Sequence, residues 1–197
     1  MQTKEKILAT ALSLYNEKGV NVITSRHIAA EIGISPGNLH YHFKHTDDII
    51  KGLYDRLAGE FDELMLRAQQ ADITHFDAFK AFSLYSVTIA YNHRFFFLNF
   101  VDIVNRIPSI KKHYQQIVMR RKKEFKAVFK KITALGIFRS DIPDAIWDAL
   151  IIQIFIIADH WLAENEGTRQ LKGNQAIKYY ANILDSLFYP YLANKTV

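Results

Sequence analysis

Cysteine is absent from the 197 residues. That excludes disulfides, thiolate metal sites and a thiol nucleophile. Glycine and proline are scarce, at 8 and 4. So few points can break a helix, and no segment alternates apolar and polar residues with the period of a strand. Repeats and low-complexity stretches are missing as well. The most apolar run, Ala149 to Ala158, is interrupted by Gln153. It reaches about half of the roughly 20 residues a membrane span needs. The opening residues enter an amphipathic pattern rather than an apolar signal core, and Gln2 excludes N-myristoylation. A cytoplasmic protein without a membrane partner is expected.

The composition that remains is globular: 49% hydrophobic and 23% charged. It supplies enough apolar material for a core without staples. Aromatic residues reach 13%, and the net charge of +5 leaves room for an anionic partner without naming one.

Helical punctuation recurs along the chain. Ile7, Leu8, Ala11, Leu12 and Tyr15 mark a first helix that Gly19 closes. Thr24 caps a short helix with Ile28, Ala29 and Ile32 inward, and Gly33 ends it. Ser35 caps the next, with Pro36 at its first position and Leu39 and Phe43 as its buried stripe. Thr46 is expected to cap a long helix reaching about Gln70, with Asp47 and Asp48 against its positive end. Helices are predicted near Phe76–His93 and Phe95–Arg106, then from Pro108 to about Leu135, from Pro143 to about Asn165, and from Asn174 to about Leu192. The fold class is all-α. A small helix-turn-helix unit, residues 1–46, joins a larger helical bundle, residues 47–197, through a shared helix.

The span Thr24 to Phe43 is a helix-turn-helix by length and punctuation. In that device the first helix braces on the phosphate backbone and the second enters the major groove. With Leu39 and Phe43 inward, Gly37, Asn38, Tyr41 and His42 occupy the other faces. Gly37 lets the backbone approach DNA. Asn38 suits adenine, and Tyr41 offers a ring to a thymine methyl and a hydroxyl to phosphate. Lys44 supplies a phosphate contact at the helix end, and Arg26 can reach phosphate or a guanine edge. The same geometry also occurs as plain packing. Residues 1–50 carry five basic and five acidic side chains, so charge does not decide between the two.

The stretch Ile28-Ala29-Ala30-Glu31-Ile32-Gly33-Ile34-Ser35-Pro36-Gly37-Asn38-Leu39-His40-Tyr41-His42-Phe43-Lys44 resembles the DNA-binding signature of the tetracycline-repressor (TetR) family. The close match covers about residues 3 to 57, and beyond it only size and helix pattern agree. The resemblance implies a homodimeric, ligand-responsive transcriptional regulator, usually a repressor, bound to a palindromic operator in double-stranded DNA. By position it places Arg26, Pro36, Gly37, Asn38, Tyr41 and His42 toward the groove. It places Thr24, Ser25, His40, Tyr41 and Lys44 on phosphates. His40 stands where a tyrosine is usual, and Thr46 where a lysine often anchors a phosphate. The alternative is a helical adaptor, or a basic nucleic-acid-binding module without operator specificity.

Arg106 to Arg139 holds eleven Lys and Arg against one acid, Glu124. This run is either a patch for nucleic acid or membrane surface, or the solvated face of an amphipathic helix, and the solvated face is favoured. Aromatic side chains crowd the middle of the chain, and such stripes are ordinarily core. Three successive phenylalanines, Phe95 to Phe97, cannot all enter one narrow stripe, so some face a cavity or a partner. The resemblance places a small-molecule effector site among these helices, and an apolar or aromatic effector suits such walls. Tyr85, Phe96, Asn99, Phe100, Gln153 and His160 are the candidate contacts. A helix apolar on several faces must be buried all round. Ile152, Phe155 and Ile156, with Leu184, Leu187, Phe188 and Tyr191, are therefore expected to form a dimer seam. No phosphate-binding glycine loop, metalloprotease histidine pair or nucleophile elbow is present, so neither an enzyme nor a metal site is expected, and no cofactor is required.

Overall fold

The computed structural model describes residues 3–193. Met1, Gln2 and 194–197, which belong to the two sequence ranges above, lie outside them. Ten α-helices follow in order: α1 Thr3–Lys18, α2 Ser25–Glu31, α3 Pro36–His42, α4 Thr46–Gln70, α5 Phe76–Asn92, α6 Arg94–Leu98, α7 Phe100–Arg106, α8 Pro108–Ala134, α9 Asp144–Gly167 and α10 Gly173–Ser186. A 3₁₀ turn, Tyr189–Tyr191, ends the description. Among the described residues there is no strand, only one antiparallel bridge between Phe138 and Leu192.

α1, α2 and α3 form a head around Ile7, Tyr15, Ile28, Leu39 and the start of α4. Local chemistry sets its two short helices. The backbone N–H of His27 donates to Thr24 Oγ1 at 3.4 Å, and Thr24 N–H donates to His27 Nδ1 at 3.3 Å. The two residues thus satisfy two orphan donors reciprocally, with His27 in the place that glutamate usually takes. Asn38 N–H donates to Ser35 Oγ at 3.1 Å, and Pro36 needs no partner at its position. Gly33 turns the chain between them at φ +71°, a conformation that glycine adopts without strain. Gly52 serves a different end: a Cβ there would meet Leu8 Cδ2 at 3.1 Å, so its bareness lets α1 and α4 close on each other.

The body packs α4 to α10 as a bundle. α4 belongs to both parts: Ile49, Ile50 and Leu53 fill the head, while Leu57, Met65 and Ala68 face the bundle. One end of the bundle is closed by aromatic rings. Phe138 stacks on Phe188 at 6.1 Å and on Trp147 at 5.5 Å, and Phe79 meets Phe188 edge-on at 4.8 Å. The Phe138–Leu192 bridge, with Arg139 N–H on the Tyr191 carbonyl at 2.8 Å, pins the segment after α10 to the α8–α9 connection.

Four expectations change. Thr46 is not the cap of α4 but its first residue. The cap position is His45, whose N–H donates to Asp48 Oδ2 at 2.8 Å. The helix expected over Phe95–Arg106 is two helices, because Asn99 leaves helical geometry at φ −122° and its side-chain amide donates to the Phe95 carbonyl at 2.8 Å. The last helix stops at Ser186, and Pro190 lies in the 3₁₀ turn beyond it. The basic run is not simply a solvated face. Arg121 is 5% exposed and bonds to Asp62 and Glu124, and Arg120 shares both carboxylates. Lys122 and Lys126 pair with Asp148, and Arg106 with Asp47 at 3.2 Å. Part of the run therefore stitches α8 to its neighbours, while Lys111, Lys112, Lys123 and Lys130 remain on the solvated face expected from the sequence. Helix α9, with 24 residues, is long and apolar enough to cross a membrane by length and composition. The decamer read from the sequence understates that stretch, and here it packs within the bundle on α6, α8 and α10.

Candidate nucleic-acid interface and ligand cavity

Helix α3 is held proud of the head. Of its seven residues only Leu39 is buried, and Phe43 closes behind it. Thr24, Arg26, Pro36, Gly37, Asn38, His40, Tyr41 and Lys44 are all exposed, and Ser25 and His42 are half-buried. Tyr41 is 84% exposed, which leaves its ring and hydroxyl accessible. Its ring meets that of His42 edge-on at 5.3 Å. The sequence-predicted residues thus converge on one surface, made of α3, the start of α2 and Lys44. Among the described residues none of the ten forms an ion pair, so Arg26 and Lys44 keep their charge for a partner.

The bundle encloses a cavity of about 160 Å³ between α4, α5, α6, α8, α9 and α10. One water needs roughly 10–15 Å³ on the same measure, so there is room for a small organic molecule. Its walls are mainly apolar, with Phe96, Phe97, Phe125 and Phe155 among them. Six residues with polar groups interrupt them: Tyr54, Ser83, Ser86, Tyr114, Arg121 and Asp159. The Tyr114 hydroxyl donates to Asp159 Oδ2. Burial pushes the Asp159 carboxyl up to about 6, against the opposing pull of the Tyr114 hydrogen bond and of His160. Burial likewise raises the Tyr114 and Tyr54 hydroxyls, which stay protonated.

Of the six residues expected at the effector site, Phe96 lines this cavity. Tyr85 is 58% exposed on α5 and points away from it. Gln153 and His160 are exposed on α9, and His160 Nδ1 lies 3.1 Å from the Ile156 carbonyl. Asn99 is occupied with its own helix end, and Phe100 lies behind the wall, packed on Phe96 and Tyr114. The polar wall residues that sequence reasoning did not name as contacts are Tyr54, Ser83, Ser86, Tyr114, Arg121 and Asp159. Helical spacing puts Tyr114 on the buried stripe of its helix but offered no signal for Arg121 or Asp159, because Arg121 sits inside a run of basic residues and Asp159 beside an exposed histidine.

The seven residues expected at a dimer seam divide. Ile152 and Ile156 are each 57% exposed and, with Ile146, form an open apolar strip along α9. Phe155, Leu184 and Phe188 instead line the chain's own cavity, Leu184 and Phe188 being buried. Leu187 and Tyr191 are half-buried, and Tyr191 packs on Trp147 at 5.1 Å. The apolar stripe of α10 is spent inside the chain because the bundle is hollow and needs those side chains as wall.

Head and body meet through few groups. The Asn16 side-chain amide donates to the Asn92 carbonyl at 2.7 Å, and its oxygen accepts from Phe95 N–H at 3.0 Å. The Tyr15 and Phe95 rings lie 5.5 Å apart. Beside them His93, 2% exposed, places Nε2 at 2.9 Å from Glu60 on α4.

This is the arrangement of a known family. The model of the bacterial regulatory proteins of the tetR family matches residues 7–53, and that of the TetR bacterial transcriptional repressors matches residues 56–196. The chain belongs to the TetR family. Among curated TetR-family relatives, the HTH-type transcriptional repressor BepR of Brucella suis biovar 1 is 34% identical over 71 residues, 36% of this chain and 34% of that protein. The HTH-type transcriptional repressor KstR2 of Rhodococcus jostii is 33% identical over 66 residues, 32% of each chain. The chain thus spans about a third of the length of the curated relatives it matches. A TetR-family transcriptional regulator from Marinobacter aquaeolei VT8 shares the fold throughout: TM-score 0.87, 26% identity, 98% of this chain and 92% of that one. The ketosteroid transcriptional regulator KstR2 of Mycobacterium tuberculosis shows the same fold at TM-score 0.68 and 17% identity, over 98% and 96% of the two chains.

The position of Asp159 has a consequence for stability. Its carboxyl is raised from 3.8 to about 6 in the folded chain. Above pH 6 both folded and unfolded forms are ionised, and the fold bears the full cost of the buried charge. As pH falls through 6 the folded form takes up a proton first, and the cost is gone near pH 4. Asp159→Asn is therefore expected to raise stability by about 1–3 kcal/mol at pH 7.5. Urea unfolding at a fixed protein concentration should show that gain shrinking toward zero at pH 4.

Proposed function

We propose that this protein is a cytoplasmic, ligand-responsive transcriptional repressor that binds a palindromic operator as a homodimer. The observation that carries the proposal is the outward polar face of α3, with Tyr41 almost fully exposed on a helix whose single buried residue is Leu39. A surface of this kind fits a major groove: Asn38 reads base edges, and Lys44 and Thr24 hold phosphates. Arg26, Pro36, Gly37, Tyr41 and His42 complete the groove contacts, and Ser25 and His40 the backbone contacts. Residues 1–46 form the DNA-binding unit and 47–197 the effector and dimerisation unit. Neither catalysis nor a cofactor is part of this reading.

The effector occupies the cavity of the bundle. Two neighbours in fold were crystallised with small molecules, a regulator from Saccharomonospora viridis with choline and SmeT with triclosan, and these support a ligand in this chain's cavity. Dimerisation uses the apolar strip of α9, Ile146, Ile152 and Ile156, which the described residues leave exposed. Two copies would then set their α3 helices about one helical turn of DNA, roughly 34–36 Å, apart. Communication runs through α6. Phe96 and Phe97 line the cavity while Phe95, next to them, packs on the Tyr15 ring of the head. A ligand shifts operator affinity only by its differential affinity for the two arrangements of this turn.

Four outcomes test this. Selection from a random duplex library should enrich an inverted repeat. Lys44→Ala should weaken binding to all duplexes and reduce the salt slope by about one, whereas Asn38→Ala should relax base preference at a cost of about 1–3 kcal/mol; equal binding to every duplex would favour a merely basic module. Ile152→Glu with Ile156→Glu should yield folded monomers in sedimentation, and a persistent dimer would move the seam elsewhere. Asn16→Ala should keep ligand binding yet blunt the change in operator affinity that a saturating ligand produces in the unaltered chain, and an undiminished response would remove this route.

A further inference from the structure

The charges around the cavity are unevenly balanced. At one pole Arg121 is held by Asp62 and Glu124, and Arg120 shares the same two carboxylates. Two guanidiniums thus face two carboxylates, and that pole is neutral. Seven residues away along α8, two turns or about 10 Å, Tyr114 reaches Asp159 at the other pole. Among the described residues the Tyr114 hydroxyl is the one hydrogen-bond partner of this carboxylate, and no Lys or Arg pairs with it. The neighbouring His160 turns its ring nitrogen to the Ile156 carbonyl instead.

We propose that the cavity selects a lipophilic cation, such as a substituted ammonium, with Asp159 as its counter-ion. The inference rests on the cavity being the effector site and names the chemistry it accepts. A half-desolvated carboxylate with one donor is costly to keep ionised, and an entering cation offsets that cost. The raised titration of Asp159 reports the same desolvation. The walls favour the same guest. Phe96, Phe97, Phe125, Phe155 and Tyr54 line the space, and aromatic faces attract a cation within about 6 Å while shedding its water. An anionic ligand finds no free cation at either pole, because Arg121 is already paired.

Calorimetry of the intact protein with three probes tests this directly: benzyltrimethylammonium, its uncharged isostere neopentylbenzene, and 4-phenylbutyrate. The expected result is that the cation binds at least tenfold more tightly than the isostere, and the anion most weakly. Asp159→Asn should remove the preference and Asp159→Glu should keep it. Between pH 7.5 and 5 the cation should weaken about tenfold as Asp159 takes up a proton. Across that range Tyr54 and Tyr114, raised by burial, stay protonated; Arg121 and His160 also face this region, and the Asn variant isolates the carboxylate's share from theirs. Equal binding of the cation and its isostere, tighter binding of the anion, no binding of any probe, or a preference that survives in Asp159→Asn would each overturn the proposal. The probe comparison in the unaltered chain stands even where a variant fails to fold. Operator selection, carried out without any probe, tests the regulatory reading separately.

Discussion

Asn16 lies near the end of α1 and spends its side chain on two backbone groups of the α5–α6 corner, donating to Asn92 and accepting from Phe95. Backbone groups at a helix junction need partners, since an unpaired polar group away from water costs about 1–3 kcal/mol. One amide supplies two of them here, and in doing so fixes the head against the body. The ring contact of Tyr15 with Phe95 and the ion pair of Arg106 with Asp47 lie around the same joint. Everything that passes between the exposed face of α3 and the cavity must cross this small contact or the continuous helix α4.

The hollow of the bundle explains where the apolar side chains of the C-terminal helices go. A solid bundle would release the stripe of α10 for a partner. Here Leu184 and Phe188 are wall, and α9 alone keeps an open apolar strip. The same demand accounts for the paired Arg121. A guanidinium at a cavity wall is tolerable only with its carboxylates beside it, and Asp62 from α4 and Glu124 from α8 provide them.

The head was legible in the sequence nearly to the residue, because its elements are short and each boundary is written in local chemistry: Thr24, Gly33, Ser35 with Pro36. His27 as the reciprocal partner of Thr24 was not, since histidine seldom takes that position. In the body the helices were readable from apolar spacing, but the break at Asn99 was not. It comes from one side chain turning back on the Phe95 carbonyl, and asparagine also sits within unbroken helices. The cavity was the least legible part. Tyr85, Gln153 and His160 are polar residues in an aromatic region and looked like anchors, but their faces turn to solvent. Asp159 and Arg121 became cavity residues only once α8 and α9 were packed together, a distance relation that periodicity along one helix does not contain.

Leu39 is the single buried residue of α3, and none of the other six residues of that helix is buried. The anchorage of this short segment is thus carried by one letter and its outward chemistry by the rest. Exchanging Asn38 or Tyr41 removes nothing from the hydrophobic root, so under the proposed function what the segment recognises is free to change at little cost to the fold.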